Sequence, residues 1–173
     1  MKLLLYCTKA KPYLLNQNVY EFYDSKYITS NLKQHKDYDY TLNGKIVAEC
    51  DFEVEEIELL GDEINLYYGI ENKSCLTTEQ IENYLGYDND YKGYAIHIKN
   101  LNIFDEPRNL DFYSSNFDYF KKVEKAPQNM MRVWEDQESP RVLISIKPEW
   151  LCKILNGEKT IEVRKKVLKE MLE

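Results

Sequence analysis

Val142-Leu143-Ile144-Ser145-Ile146-Lys147-Pro148-Glu149-Trp150-Leu151-Cys152-Lys153-Ile154-Leu155-Asn156-Gly157-Glu158-Lys159-Thr160-Ile161-Glu162-Val163-Arg164 is the stretch on which the fold of this chain turns. Val142 to Ile146 is short and apolar, which suits a buried strand. Pro148 then stands at a first helical turn, where its missing N–H costs no hydrogen bond. A helix from Pro148 to Leu155 presents Leu151, Ile154 and Leu155 to a core, and Asn156-Gly157 closes it. Thr160 to Val163 is again β-prone, so the order is strand, helix, glycine, strand. Lys165 to Leu172 can form a final short helix.

Working outward, Lys2 to Cys7 is another apolar run and reads as a buried strand, ended by Ala10-Lys11-Pro12. Residues 13 to 43 are polar and aromatic, with a patch at Val19 to Tyr23 that suits a short hairpin. After the turn signal Leu42-Asn43-Gly44-Lys45 comes strict alternation. Ala48, Cys50, Phe52 and Val54 face one way, and Glu49, Asp51, Glu53 and Glu55 the other, as in a strand with one wet face. Thr77 to Gly86 reads as a capped short helix. Tyr94 to Leu101 alternates as a strand, and Pro107 to Tyr113 reads as a loop or one helical turn. A strand is expected over Met130 to Trp134, after the loop Lys125 to Asn129, and a turn over Asp136 to Pro140. Short helices mixed with alternating strands and no internal repeat point to a single α+β domain over residues 1–173.

Composition bounds the function. The chain has 173 residues, 43% of them hydrophobic and 31% charged, with a net charge of −7, so it is not a globally basic nucleic-acid binder. Charge is segregated, however. Arg141 to Lys169 holds eight Lys/Arg against three Glu, whereas Glu49 to Glu63 holds eight acids and no base. The acidic run is chiefly the wet face of a strand and needs no metal ion. The fifteen tyrosines suit half-buried strand positions. Cys7, Cys50, Cys75 and Cys152 are widely spaced and only His35 and His97 accompany them, so neither a zinc site nor a disulfide framework is signalled. No cofactor is expected. Leu3-Leu4-Leu5 gives way to polar residues too soon for a signal peptide or a membrane span, and a reduced cytoplasmic setting is expected.

The strand, helix and Gly157-Glu158-Lys159-Thr160-Ile161-Glu162-Val163-Arg164 segment resembles the opening of an ASCH domain, a branch of the PUA-like superfamily. Two further pieces, Leu5-Tyr6-Cys7-Thr8-Lys9-Ala10-Lys11-Pro12 and Asn43-Gly44-Lys45-Ile46-Val47-Ala48-Glu49, resemble strands that follow that opening in the family. Here they precede it. Gly93 to Leu101 and Ala126-Pro127-Gln128 resemble later strands of larger, often phage-encoded relatives. The resemblance implies a small mixed β-barrel, the PUA-like pseudobarrel, with short flanking helices and circularly permuted order. In that order residues 141–173 complete the barrel of their own chain; the rival reading is a family-like first domain followed by a second one cut off early, with residues 141–173 docking elsewhere or swapping into a partner, so that a monomer or a domain-swapped dimer is expected.

What the resemblance implies for function is a cleft, lined by Lys159, Thr160, Glu162 and Arg164, that holds RNA or a modified nucleotide. The carboxylate would take a base edge and the cations a phosphate. Regular strand pairing puts Thr160 and Glu162 on one face and Lys159 on the other; an irregularity near Gly157 is needed to bring Lys159 to the cleft. Tyr6 and Lys9 would lie beside the motif in permuted order, and the Gln128 amide could read a base edge. Trp150 either packs under the helix or stacks on a ligand. His97 reads as a hydrogen-bonded strand residue. Some small members of the wider family look like amidohydrolases of N4-acetylcytidine that use a lysine and a threonine. Lys159 matches, but Glu162 stands at the threonine position with Thr160 nearby, which removes the expected nucleophile and favours binding over catalysis. A protein-interaction role, such as a phage inhibitor that presents its acidic strand face, is the third possibility. Taken without the resemblance, Lys159 and Glu162 read as a surface ion pair of little worth.

Overall fold

The computed structural model describes residues 1–9, 42–58, 68–86, 92–115, 121–135 and 140–173. Six strands lie within them: β1 (Lys2–Cys7), β2 (Ile46–Glu58), β3 (Lys92–Arg108), β4 (Met130–Trp134), β5 (Pro140–Ile146) and β6 (Ile161–Arg164). They form one open sheet in the order β4-β5-β1-β2-β3-β6. Every adjacent pair is antiparallel except β1 and β5, which run parallel from Lys2↔Arg141 to Cys7↔Ile146. The first strand of the chain and the strand at Val142 therefore pair directly within one chain. Among the described residues three helices accompany the sheet: α1 (Tyr68–Ser74), α2 (Thr78–Leu85) and α3 (Pro148–Leu155). The fold class is α+β.

β1 and β5 sit inside the sheet and are buried on both faces, which is why each reads as a continuous apolar run and not as an alternation. On one face Leu3, Leu5, Cys7, Val142, Ile144 and Ile146 join Ala48, Cys50 and Ile96 in the main core, closed over by Leu151 and Ile154 of α3. The other face carries two separate clusters. Leu4, Tyr6, Ile46, Val133 and Leu143 pack with Tyr113 and Val123, while Ala95, Ile161 and Val163 pack with Ile57, Ile70, Ile81 and Leu85.

β2 and β3 form the long hairpin-like pair of the sheet, and the alternation in β2 is as the sequence implies: Cys50 is wholly buried and Glu53 and Glu55 face water. Side chains on the neighbouring strands answer the acids. Lys2 Nζ lies 2.7 Å from Asp51, Lys99 Nζ 2.6 Å from Glu53 and His97 Nε2 2.9 Å from Glu55. His97 is thus a hydrogen-bonded strand residue. Between Glu49/Asp51 the register shifts, and opposite it Asn100 adopts φ 49° with its amide donating to Asp51 at 2.9 Å. Asparagine tolerates this left-handed conformation better than most residues, and the bulge bends β3.

α2 begins at a full capping box, with Thr77 and Gln80 bonding each other's backbone N–H, and stops at Gly86. β3 runs on to Arg108 through Pro107, seven residues beyond the expected end, and the helical turn is confined to Leu110–Phe112. The tail forms only a single 3-10 turn at Lys169–Met171, not a helix over 165–172. α1 has no counterpart in the sequence expectations. The hairpin expected at Val19 to Tyr23 and the turn at residues 136–139 lie outside the described residues, as does Lys11. No helix among the described residues is long and apolar enough to cross a membrane, and Cys7, Cys50, Cys75 and Cys152 are all free thiols.

Candidate functional site

Gly157 leaves α3 with φ +76°, the left-handed conformation that glycine adopts at least cost. The chain then turns tightly, because the N–H groups of both Glu158 and Lys159 donate to the Lys153 carbonyl, at 2.9 and 3.0 Å. Regular pairing of β6 starts only at Ile161, opposite His97. Lys159 therefore escapes the strand's alternation and folds back on Glu162. This is the irregularity that a cleft position for Lys159 requires.

The two residues form no surface pair. Lys159 is 2% exposed and Glu162 8%. The Lys159 ammonium donates to the Ser74 carbonyl at 2.7 Å and lies 3.3 Å from Glu162 Oε2. On its other side Glu162 Oε1 is 2.9 Å from Arg164 Nη2. One carboxylate is thus held between two cations. Breaking such a buried arrangement by removing one member costs several kcal/mol, typically about 3 to 5, since the rest is left uncompensated.

Arg164 reaches further. Its Nη2 also donates to the Ser145 carbonyl at 2.7 Å, and its Nη1 to Asn129 Oδ1 at 3.0 Å. Asn129 in turn donates to the Lys166 carbonyl at 3.0 Å, and Ser145 Oγ to the Pro127 carbonyl at 2.6 Å. β6 is one edge of the sheet, and Asn129 immediately precedes β4, the other edge. No ladder joins these edges among the described residues. A guanidinium and an amide do it instead.

Trp150 of α3 is half-buried against the main core, with the Lys153 and Lys159 ammonium groups 5.1 and 5.3 Å from its ring centroid. It packs under the helix, as one of its two sequence expectations has it. Burial lowers the Lys153 pKa below its ordinary value, with Cys75 and Glu158 pulling the other way. Burial likewise raises the Cys75 and Cys152 thiols.

The remaining expected site residues divide. Thr160 is anchored through its backbone, its N–H donating to the Lys73 carbonyl and its carbonyl accepting from the Ile98 N–H, both at 2.8 Å. Gln128 is exposed, and its neighbour Asn129 supplies the amide that meets Arg164. The backbone of Tyr6 pairs with Ser145, whose carbonyl Arg164 holds, but the side chains of Tyr6 and Lys9 are turned elsewhere. Tyr6 points to the opposite face of the sheet from Ile96, the strand partner of Glu162, and Lys9 lays its stem by Gly44. Ser74, Asn129 and Ser145 are the members that sequence reasoning missed; two of them contribute through backbone carbonyls, which carry no side-chain signature. No group of three or more potential metal-ligating side chains occurs among the described residues.

No protein-family model matches the chain, and no curated protein and no solved structure matches it either.

Proposed function

We propose that this chain is a circularly permuted, ASCH-like pseudobarrel that binds RNA or a modified nucleotide at the end of the sheet where Arg164 spans the two edges. The observation that carries the proposal is the clasp of Lys159, Glu162 and Arg164 with an exposed basic rim attached to it. Lys165 and Lys166 follow Arg164 directly, Lys147 lies two residues past Ser145, and all three are exposed, as is Gln128. The direct pairing of β1 with β5 supports the permuted order.

Within this proposal the motif residues are the frame of the site, and the rim is what meets the ligand. One buried and one half-buried cation around one carboxylate hold the backbone in place, and phosphate contacts then fall to Lys147, Lys165 and Lys166. Gln128 is free to read a base edge from the same side. The amidohydrolase alternative gains nothing from the geometry: Lys159 is 2% exposed, and its Nζ is already engaged by the Ser74 carbonyl and Glu162. The acidic strand face is partly answered from within, by Lys2 at Asp51 and Lys99 at Glu53, which leaves less for a partner to neutralise.

The test is RNA affinity as a function of salt for the native protein and for Lys147→Ala/Lys165→Ala/Lys166→Ala. These exposed substitutions leave the clasp intact. Binding that weakens with salt, with a log–log slope reduced by about one per lost phosphate contact, supports the proposal. Absence of salt-sensitive binding across a panel of single-stranded and modified RNAs, or an unchanged slope in the variant, removes it.

A further inference from the structure

On the other face of the sheet is an open cleft of about 560 Å³ that the motif does not touch. It lies between the end of β1, the Gly44 turn, the turn at Asn109–Asp111 and the strand-free segment Val123–Ala126. A size in the range of a few hundred to a thousand Å³ is what small-molecule sites have.

Its floor is Tyr6. The residue is only 5% exposed, and its ring belongs to the cluster with Tyr113 and Val123. Its hydroxyl lies 3.8 Å from where a Cβ on Gly44 would stand, and has no hydrogen-bond partner among the described residues. The ring is buried while the hydroxyl itself is open to the cleft, where water or a ligand can meet it. Burial also pushes the Tyr6 pKa up, so the hydroxyl is a proton-bearing donor at neutral pH. The Gly44 turn is shaped to this arrangement. At φ +80° it carries no side chain, and a Cβ there would stand 3.0 Å from the Lys9 stem.

Four charged side chains line the cleft, Lys9 and Lys125 of one sign and Asp111 and Glu124 of the other. All four are exposed, and none is in an ion pair among the described residues. Two cations suit one phosphate. Two carboxylates repel a polyanion but accept hydrogen bonds from hydroxyl or amino groups. Val123 and Leu110 supply apolar wall for a planar ring, and the Tyr6 hydroxyl can donate to a ring acceptor.

We infer that this cleft is a binding site for a nucleoside monophosphate, with phosphate at Lys9 and Lys125, sugar hydroxyls or an exocyclic amine at Asp111 and Glu124, and the base against Val123 over the Tyr6 hydroxyl. The site is independent of the motif and stands or falls without it.

The experiment is titration of the full chain, followed by amide NMR, with the four ribonucleoside 5′-monophosphates, the matching nucleosides and inorganic phosphate. Saturable shifts at residues 6, 9, 44, 109 and 125 are expected with at least one monophosphate, with its nucleoside and with phosphate each weaker. Tyr6→Phe keeps the ring and removes one hydrogen bond, so it should weaken binding by about five-fold. Lys9→Met, on an exposed side chain, should weaken the monophosphate and leave the nucleoside unchanged. Lys165→Ala/Lys166→Ala should alter neither. No saturable shift at these residues with any monophosphate overturns the inference. So does binding insensitive to both Tyr6→Phe and Lys9→Met, or binding lost on substitution of Lys165 and Lys166.

Discussion

The Arg164 guanidinium donates to the Ser145 carbonyl at 2.7 Å, joining β6 to β5 across a gap that no strand ladder bridges among the described residues. With its bonds to Asn129 and Glu162, one side chain ties three segments that are far apart in the sequence. Arg164→Ala removes all of these and leaves Glu162, Ser145 and Asn129 short of a donor. A loss of about 3 kcal/mol is expected in urea denaturation, in line with broken buried pairs. Arg164→Lys keeps the charge but not the fork, and should fall between the two. A loss under about 1 kcal/mol for Arg164→Ala would mean that the edges are held by something else.

Lys159 and Glu162 should behave as a coupled pair. Lys159→Met retains the stem and strips the Ser74 carbonyl and Glu162 of a cation. Glu162→Gln leaves two cations facing each other with less between them. The double variant avoids both faults, so its cost should be less than the sum of the single costs, by about 1 kcal/mol or more. Additive effects in a double-mutant cycle would show the 3.3 Å contact to be incidental.

The elements around this clasp were largely legible from residue pattern. α3 runs from Pro148 to Leu155, the expected bounds, because proline and Asn156-Gly157 mark its ends in chemistry that is local. β2 was legible for the same reason, since one wet face forces alternation. Tyr6 was not. In a strand buried on both faces there is no polar residue to mark a side, so nothing local told which way Tyr6 points, and it lies away from the motif. Asn129 and Ser74 were illegible because their roles come from tertiary approach: one amide beside Gln128 looks like another, and a backbone carbonyl looks like any other. α1 itself, a seven-residue helix that carries Ser74, has no cap signal to announce it.

Two glycines should respond to alanine for opposite reasons. At Gly93 a Cβ would stand 2.6 Å from Leu85 Cδ1, and Leu85 is itself fully buried, so the contact of α2 with β3 must open. A cost of about 1 to 3 kcal/mol is expected, as for other overpacked cores. At Gly157 nothing lies within 4 Å, and only the φ of +76° resists a side chain. Gly157→Ala should cost about 1 kcal/mol, and Gly157→Asn less, since asparagine accepts that conformation. Thermal denaturation of the three variants distinguishes strain from crowding; equal losses for Gly157→Ala and Gly157→Asn would assign the effect to something other than backbone conformation.

Alkaline pH should weaken the fold through Cys50. Its side chain is wholly buried in the main core, and burial, with the Asp51 carboxylate beside it, pushes its pKa from an ordinary 9.0 to about 12. Between those values the unfolded chain has lost a proton that the native state keeps. Stability therefore falls as pH rises above about 9, by at most about 1.4 kcal/mol per pH unit for one group. Other groups contribute in the same range: the Cys75 and Cys152 thiols add to the fall, and Lys153, with its lowered pKa, opposes it below 10.5. The difference between native protein and Cys50→Ala isolates the one thiol. At pH 7 the variant should be less stable by about 1 to 2 kcal/mol from lost packing. That deficit should shrink steadily from pH 9 to pH 11, because alanine has no proton to lose. Urea denaturation at half-unit steps measures it, and a deficit that stays constant over this span would show that the Cys50 thiol titrates in the folded protein as it does in the open chain.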